Sequence, residues 1–296
     1  MATNIDNPHI AELDVDHYYH IGFNSGEPLK EMFGDVKFVF FAGANDRVEK
    51  IAHSFAEAFW PLPLGQTLKP IGSTARYHMY KIGQIITCSH QMGMPSFSIL
   101  LHEMTKMLNA AGATDVTYIR IGTSGGLGVP GGTVVVTRRP LNGFLRPEYD
   151  LISLGERVVR PATLSEDVRA GLLECAKEAG YGDIAISGDT MSVDCFYEGQ
   201  GRLDGAICSY NDTDKLAFLQ KAKEAGVCNI EMESAMFGAF CHRLNIKAGV
   251  ICCTLLNRML GDQVTMTNED YKTWVARIID ICIRYVAKTL NLTPRV

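Results

Sequence analysis

Short apolar runs alternate along the chain with longer stretches in which apolar positions recur every three or four residues. Segments at 36–42, 84–89, 115–121, 132–138, 183–187, 227–232 and 247–254, each built around a short apolar run, predict strands, as such runs suit a buried sheet. Helical spacing predicts helices over 46–60, 96–111, 164–179, 212–225, 233–244 and 268–290. In the second of these, Leu100, Leu101, Met104, Met107 and Leu108 form one stripe and leave Lys106 and Asn109 outside it, which reads as ordinary core. Alternating strands and helices predict an α/β sheet covered by helices. Residues 138–163, with Arg138, Arg139, Pro140 and Pro147, read as a long surface excursion. Residues 1–34 are polar and aromatic-rich (His17, Tyr18, Tyr19, His20) without clear periodicity, an arm that either frays or packs on a neighbour. With no internal repeat and no low-complexity linker, residues 35–296 are expected to form a single domain.

Composition narrows the partners. A chain of 296 residues, 47% hydrophobic and 21% charged, is long enough to bury one large core. The net charge of −5, with no run of Lys or Arg, leaves no footprint for a nucleic acid backbone, so any phosphate bound is a small one. No stretch reaches the roughly 18 apolar residues of a membrane span. The first residues have neither a basic segment nor an apolar one, so a cytoplasmic location is expected. Nine cysteines, an odd count without a Cys-x-x-Cys, with Cys228, Cys252, Cys253 and Cys282 inside apolar segments, read as buried thiols rather than cross-links.

Chemistry gathers at the carboxyl ends of the predicted strands, where open α/β sheets place their ligands. In Phe41-Ala-Gly-Ala-Asn-Asp-Arg47, Gly43 ends a strand and a helix follows. Glycine permits close backbone approach, the helix start presents N–H groups, and Arg47 adds a cationic fork, so an anion site and a plain turn capped by Asp46 fit equally well. In Tyr118-Ile-Arg-Ile-Gly-Thr-Ser-Gly-Gly126, Arg120 lies within an apolar strand and requires a carboxylate or a bound anion, while Thr123 and the glycines offer donors beyond it. Gly126-x-Gly128-x-x-Gly131 matches a dinucleotide fingerprint, but Pro130 and Gly132 lead into a strand where that fingerprint requires a helix, which argues against a nicotinamide or flavin cofactor. Cys195-Phe-Tyr-Glu-Gly-Gln-Gly-Arg202 combines a flat ring at Phe196, an amide at Gln200 and a two-pronged donor at Arg202. These suit the O2, N3–H and O4 edge of a uracil ring, and a cation there favours charge on a departing base; a polar surface turn is the plain alternative. Asn229-Ile-Glu-Met-Glu-Ser234 places Glu231 and Glu233 on one face if the strand continues, for gripping ribose hydroxyls or, as a rival, for paired-carboxylate glycoside hydrolysis. A structural role for Glu231 beside a buried Arg also fits. Thr254-Leu-Leu-Asn-Arg258 ends another strand, with Leu255 and Leu256 as candidate pocket walls and Arg258 at its border. No His, Cys or Asp cluster has metal-ligand spacing.

Through these segments, and through Ser89-His-Gln-Met-Gly-Met-Pro-Ser-Phe-Ser-Ile-Leu-Leu-His-Glu103, the chain from about Tyr19 onward resembles the nucleoside phosphorylase family that contains the uridine phosphorylases, the animal members above all. Two departures are Gln91, where the family usually carries glycine, and Met104 in place of leucine. The resemblance implies a three-layer α/β/α fold around a mixed, partly closed sheet. It implies reversible phosphorolysis of uridine or deoxyuridine to uracil and a ribose 1-phosphate, with inorganic phosphate as co-substrate and no cofactor or metal. By position, Gly43, Arg47, Arg120 and Thr123 then hold phosphate together with Arg76 of a neighbouring subunit. Met232 and Glu233 hold ribose with the neighbour's His20, Phe196, Gln200 and Arg202 hold the base, and Leu255 and Arg258 lie beside it. A homodimer with shared sites follows, the arm of residues 1–34 packing on the neighbour. Three rivals stand against this expectation: a purine phosphorylase, a hydrolytic nucleosidase, and a nucleoside-binding protein without catalysis. Gln200 with Arg202 argues against a purine pocket, and three phosphate arginines argue against water as nucleophile.

Overall fold

The computed structural model describes residues 5–295; the first four residues of the expected arm and Val296 lie outside the described residues. The chain divides into two compact units. One contains the residues up to Arg120, Arg243–Ala248 and the chain from Val286 onward; the other contains Ile121–His242 and Gly249–Tyr285.

The first unit opens with β1 (His17–Tyr18) and β2 (Phe23–Asn24), an antiparallel pair, and α1 (Leu29–Phe33). There follow β3 (Phe38–Ala42), α2 (Asn45–Phe59), β4 (Met79–Ile82), β5 (Ile85–Ser89), α3 (Met94–Ala110) and the start of β6 (Thr117–Gly126). Its strands are ordered β4-β5-β3-β6, with β3 and β5 parallel and β4 antiparallel to β5. Every residue of β3 and β5 is buried, which explains why β3 reads as an unbroken apolar run. Residues 16–33 fold on their own chain. Tyr18, Ile21, Phe23, Leu29 and Phe33 are buried, and Lys106 of α3 pairs with Asp16 at 2.7 Å.

The second unit continues β6 and adds β7 (Val134–Leu141), β8 (Glu148–Ser153), β9 (Glu156–Pro161), α4 (Glu166–Glu178) and β10 (Ala185–Ser192). After these come α5 (Asp212–Glu224), β11 (Val227–Glu231), α6 (Ser234–Arg243), β12 (Lys247–Asn257) and α7 (Asn268–Leu290), whose last residues return to the first unit. The order β6-β12-β7-β10-β11 closes because β11 also pairs antiparallel with β6, Asn229 opposite Gly126 and Ile230 opposite Gly125. The sheet is thus mixed and partly closed into a barrel. Inside it, Thr137 and Thr190 share a hydrogen bond of 2.7 Å, Thr190 donates to Asn229 Oδ1 at 2.8 Å, and Asn229 Nδ2 donates to Ser124 Oγ at 2.9 Å. That relay satisfies polar groups which would otherwise be costly to bury.

One expectation is corrected. Residues 138–163 are not an irregular excursion: β7 runs on to Leu141, and β8 and β9 pair as a hairpin from Glu148–Pro161 to Ser153–Glu156. Leu154 and Gly155 turn the hairpin with φ of +52° and +84°, the left-handed pair that a two-residue connection requires. All nine cysteines are free thiols, but Cys195 and Cys208 are exposed and Cys228 is half-buried rather than buried.

Candidate active site

In the first unit the parallel register sets Ala42 opposite Ser89, so Gly43 and His90 leave neighbouring strand ends together. A Cβ on Gly43 would come within 3.1 Å of the Gln91 carbonyl oxygen and 3.7 Å of His90 Cε1, a tight fit that glycine avoids. Helix α2 starts two residues on, with Ala44 as its cap residue and no side-chain capping bond. Asp46 is therefore not the cap, and the N–H groups of the first turn face the strand end without a side-chain acceptor from the cap position. His90 is 1% exposed and its ring stacks on Phe97, centroids 4.2 Å apart. Burial, then the charges of Arg120 and Arg47, hold its pKa far below the ordinary histidine value, so the ring is neutral. Two guanidiniums thus bear on one uncharged imidazole at a helix start. Arg120 is itself 3% exposed, and a guanidinium buried so deeply requires a carboxylate or an anion beside it.

Gln91, where the resemblance leads one to expect glycine, adopts φ +59°. A side chain in that region is disfavoured by roughly 1 kcal/mol, and here the side chain is held in place: its amide donates to Asn45 Oδ1 at 2.8 Å and to Ser89 Oγ at 3.2 Å. Gln91 also lines an open cleft of about 630 Å³ together with Tyr19, His20, Thr74, Ala75 and Arg76. His20 is fixed there by Glu103. One carboxylate oxygen accepts from His20 Nδ1 at 2.6 Å, and the other accepts from the backbone N–H groups of His20 and Ile21 at 2.8 and 3.1 Å. Because a carboxylate only accepts, Nδ1 carries the proton and Nε2 is left for a ligand.

In the second unit the segment Cys195–Arg202 forms a short 3-10 turn, Glu198–Gln200, closed by Gly201 at φ +62°. Arg202 lies over the Phe196 ring at 4.4 Å, donates from Nε and Nη2 to the two oxygens of Asp204 at 2.9 and 2.8 Å, and donates from Nη2 to the Asp262 carbonyl at 2.8 Å. Gln200 is buried, and its Oε1 accepts from Arg258 Nη1 at 3.2 Å. Arg258 is 0% exposed, so it sits behind Gln200 rather than bordering open space as its place at the strand end implied. Gly125 makes room for it: a Cβ there would lie 2.7 Å from Arg258 Cγ. Leu255 is half-buried near the end of β12, and Thr123 is half-buried within β6, three residues beyond Arg120. Glu231 turns its carboxylate onto the start of α6, accepting from the N–H groups of Glu233 and Ser234 at 2.9 and 3.0 Å. This helix-capping role takes one of the two carboxylates that the glycosidase alternative needs. Met232 and buried Glu233 occupy the turn between β11 and α6.

The structure therefore gathers Gly43, Arg47 and Arg120 around His90, places His20 and Arg76 on one cleft, and assembles Phe196, Gln200, Arg202 and Arg258 as one bonded group. Gly131 of the dinucleotide-like pattern and the following Gly132 pack against Trp274 and lead into β7. Among the described residues no group of three or more His, Cys, Asp or Glu is placed to hold a metal ion, and no helix is long and apolar enough to cross a membrane.

The model of the Phosphorylase superfamily matches residues 37–290. Uridine phosphorylase 1 of Mus musculus is 40% identical over 289 residues, 97% of this chain and 93% of its own. The solved uridine phosphorylase of Schistosoma mansoni in complex with thymidine superposes with a TM-score of 0.93 at 37% identity, covering 98% of this chain and 100% of that one. A structure from a study of two uridine phosphorylases of the oomycete Phytophthora capsici superposes at 0.92 with 45% identity, covering 98% and 99%.

Proposed function

Because the chain belongs to the Phosphorylase superfamily, we propose that the residues gathered above carry a phosphorolysis in which phosphate displaces a pyrimidine base from ribose. The enzyme is a uridine phosphorylase, a pentosyltransferase acting on uridine. Phosphate is held by Gly43, Arg47, Arg120 and Thr123. One of its oxygens attacks C1′ while the bond from C1′ to N1 of the base breaks. The bonding electrons leave with the uracil, and positive charge builds on the ribose ring in between. Met232 and Glu233 hold the sugar, and Phe196 and Gln200 fix the base plane and edge. Arg202 stabilises the negative charge that develops on the departing ring. The protein thus supplies position and electrostatics rather than a covalent nucleophile. The observation that carries the phosphate assignment is the end of β3, where Gly43 leaves room for close approach and α2 starts without a side-chain cap, its first turn carrying Arg47.

His20 and Arg76 line the same open cleft, so a second subunit seated there would receive both. This supports an isologous homodimer in which each site borrows these two side chains. Deoxyuridine is a further substrate on this reading, and the enzyme is cytoplasmic.

Uridine cleavage is expected to saturate with phosphate, and arsenate is expected to replace it. Release of uracil at a comparable rate in a buffer free of both anions would instead make the enzyme a hydrolase. The chemistry requires no metal, so added Mg²⁺ or a chelator is expected to leave the rate unchanged.

A further inference from the structure

We infer that Asp262 is a positioning residue for the base site, holding Gln200 in reading geometry through Arg258 and Arg202 through its own carbonyl and the Leu203 backbone. This rests on the proposed uracil site.

Asp262 Oδ1 accepts from Arg258 Nε at 3.0 Å, and the carboxylate also faces Arg258 Nη2 at 2.9 Å. With its Nε side so fixed, the Arg258 guanidinium turns Nη1 and Nη2 toward Gln200. Nη1 reaches Gln200 Oε1 at 3.2 Å, and Nη2 reaches the Gln200 carbonyl at 2.9 Å. A guanidinium has no acceptor, so the amide cannot flip without setting donor against donor. Gln200 therefore presents its NH₂ and the remaining lone pair of Oε1 in one fixed order, which matches an imide edge and mismatches a cytosine edge.

The same residue reaches Arg202 by two routes. Its carbonyl accepts from Arg202 Nη2 at 2.8 Å, and Oδ2 accepts from the Leu203 N–H at 3.0 Å, anchoring the backbone just after Arg202. Lys215 Nζ, 5% exposed, braces Oδ2 at 2.9 Å. Burial alone would raise the Asp262 pKa, but the Leu203 N–H, Lys215 and Arg258 outweigh it and keep the carboxylate ionised.

The test is steady-state kinetics in the synthetic direction, with uracil and ribose 1-phosphate varied separately. Asp262→Asn is expected to raise the KM for uracil by about tenfold while the KM for ribose 1-phosphate stays within about twofold, because only the base edge loses its preorganised donors. A variant that is merely destabilised would lose active enzyme and keep its uracil KM. Combined with Gln200→Ala, the loss should fall well short of the product of the single losses, since both substitutions act on one contact. Where Asp262→Asn does not fold, Lys215→Gln is expected to give the same pattern at about threefold. An unchanged uracil KM in the folded variants, or multiplicative losses with Gln200→Ala, would overturn the positioning role with the functional reading intact. A wild-type enzyme that neither cleaves nor synthesises uridine would overturn both.

Discussion

Replacing Arg202 with alanine is expected to lower kcat for uridine by about 10²–10³, comparable to the loss of one preorganised donor to a developing anion. The geometry explains why so much rests on one side chain. Of the five N–H groups of a guanidinium, Nε and both hydrogens of Nη2 are occupied by Asp204 and the Asp262 carbonyl. That leaves Nη1 for the base. The Phe196 ring, its centroid 4.4 Å from the guanidinium carbon, lies beneath that carbon and attracts it as a cation over a ring face. Arg202 is buried, so its charge acts through a medium where it is screened far less than in water. The KM for phosphate should be little changed. Arg202→Lys should recover only part of the loss, because an ammonium on a flexible stem cannot satisfy Asp204 with two prongs and still face the base. Uridine turnover within a few-fold of wild type in Arg202→Ala would remove Arg202 from base recognition and return it to a structural pair with Asp204.

All seven strands and six helices expected from periodicity are present, with boundaries shifted mainly where the backbone pairing outlasts the apolar run. Strand β6 continues to Gly126 through Thr123 and Ser124, past the end expected at residue 121; inside the barrel Ser124 is satisfied by Asn229. The β8–β9 hairpin was illegible for a different reason. Its turn is Leu154-Gly155 rather than the Asn-Gly or Asp-Gly that marks such turns, and its outward residues Ile152, Leu154 and Val159 are apolar and exposed. At the site, the residues read from motifs are those at strand ends, because a strand end followed by glycine, hydroxyl or Arg is a local signal. The residues that hold them in place carry no local signal. Glu103 acts on His20 from 83 positions away, and Lys215 meets Asp262 across 47. Asp262 alone left a trace, four residues after Arg258, but a single Arg-to-Asp spacing of four is common on any surface. The division into two compact units was equally hidden, since β6 runs from one to the other with no turn signal at the boundary.

The assignment of Arg76 to a neighbouring subunit makes the strongest claim about assembly, and it predicts recovery of activity from two dead proteins. Arg76 is exposed on a cleft that also presents His20, whereas Arg120 is buried within β6 beside His90. If each site takes its body from one chain and Arg76 from the other, Arg76→Ala and Arg120→Ala homodimers should both be nearly inactive, each lacking one phosphate arginine at every site. A mixed dimer differs. One of its sites joins the intact Arg120 of the first chain to the intact Arg76 of the second, while the other site carries both lesions. Random exchange of equal amounts makes half the dimers mixed, so about a quarter of all sites should be restored in a two-site isologous assembly. The measurement is uridine phosphorolysis after the two variants are denatured and refolded together, with a mass tag on one chain to report exchange. A self-contained site would give no recovery, because each chain would keep its own lesion whatever its partner. Activity no greater than the sum of the separately refolded variants, with exchange demonstrated by the tag, would place Arg76 outside the neighbour's site and return it to its own chain's surface.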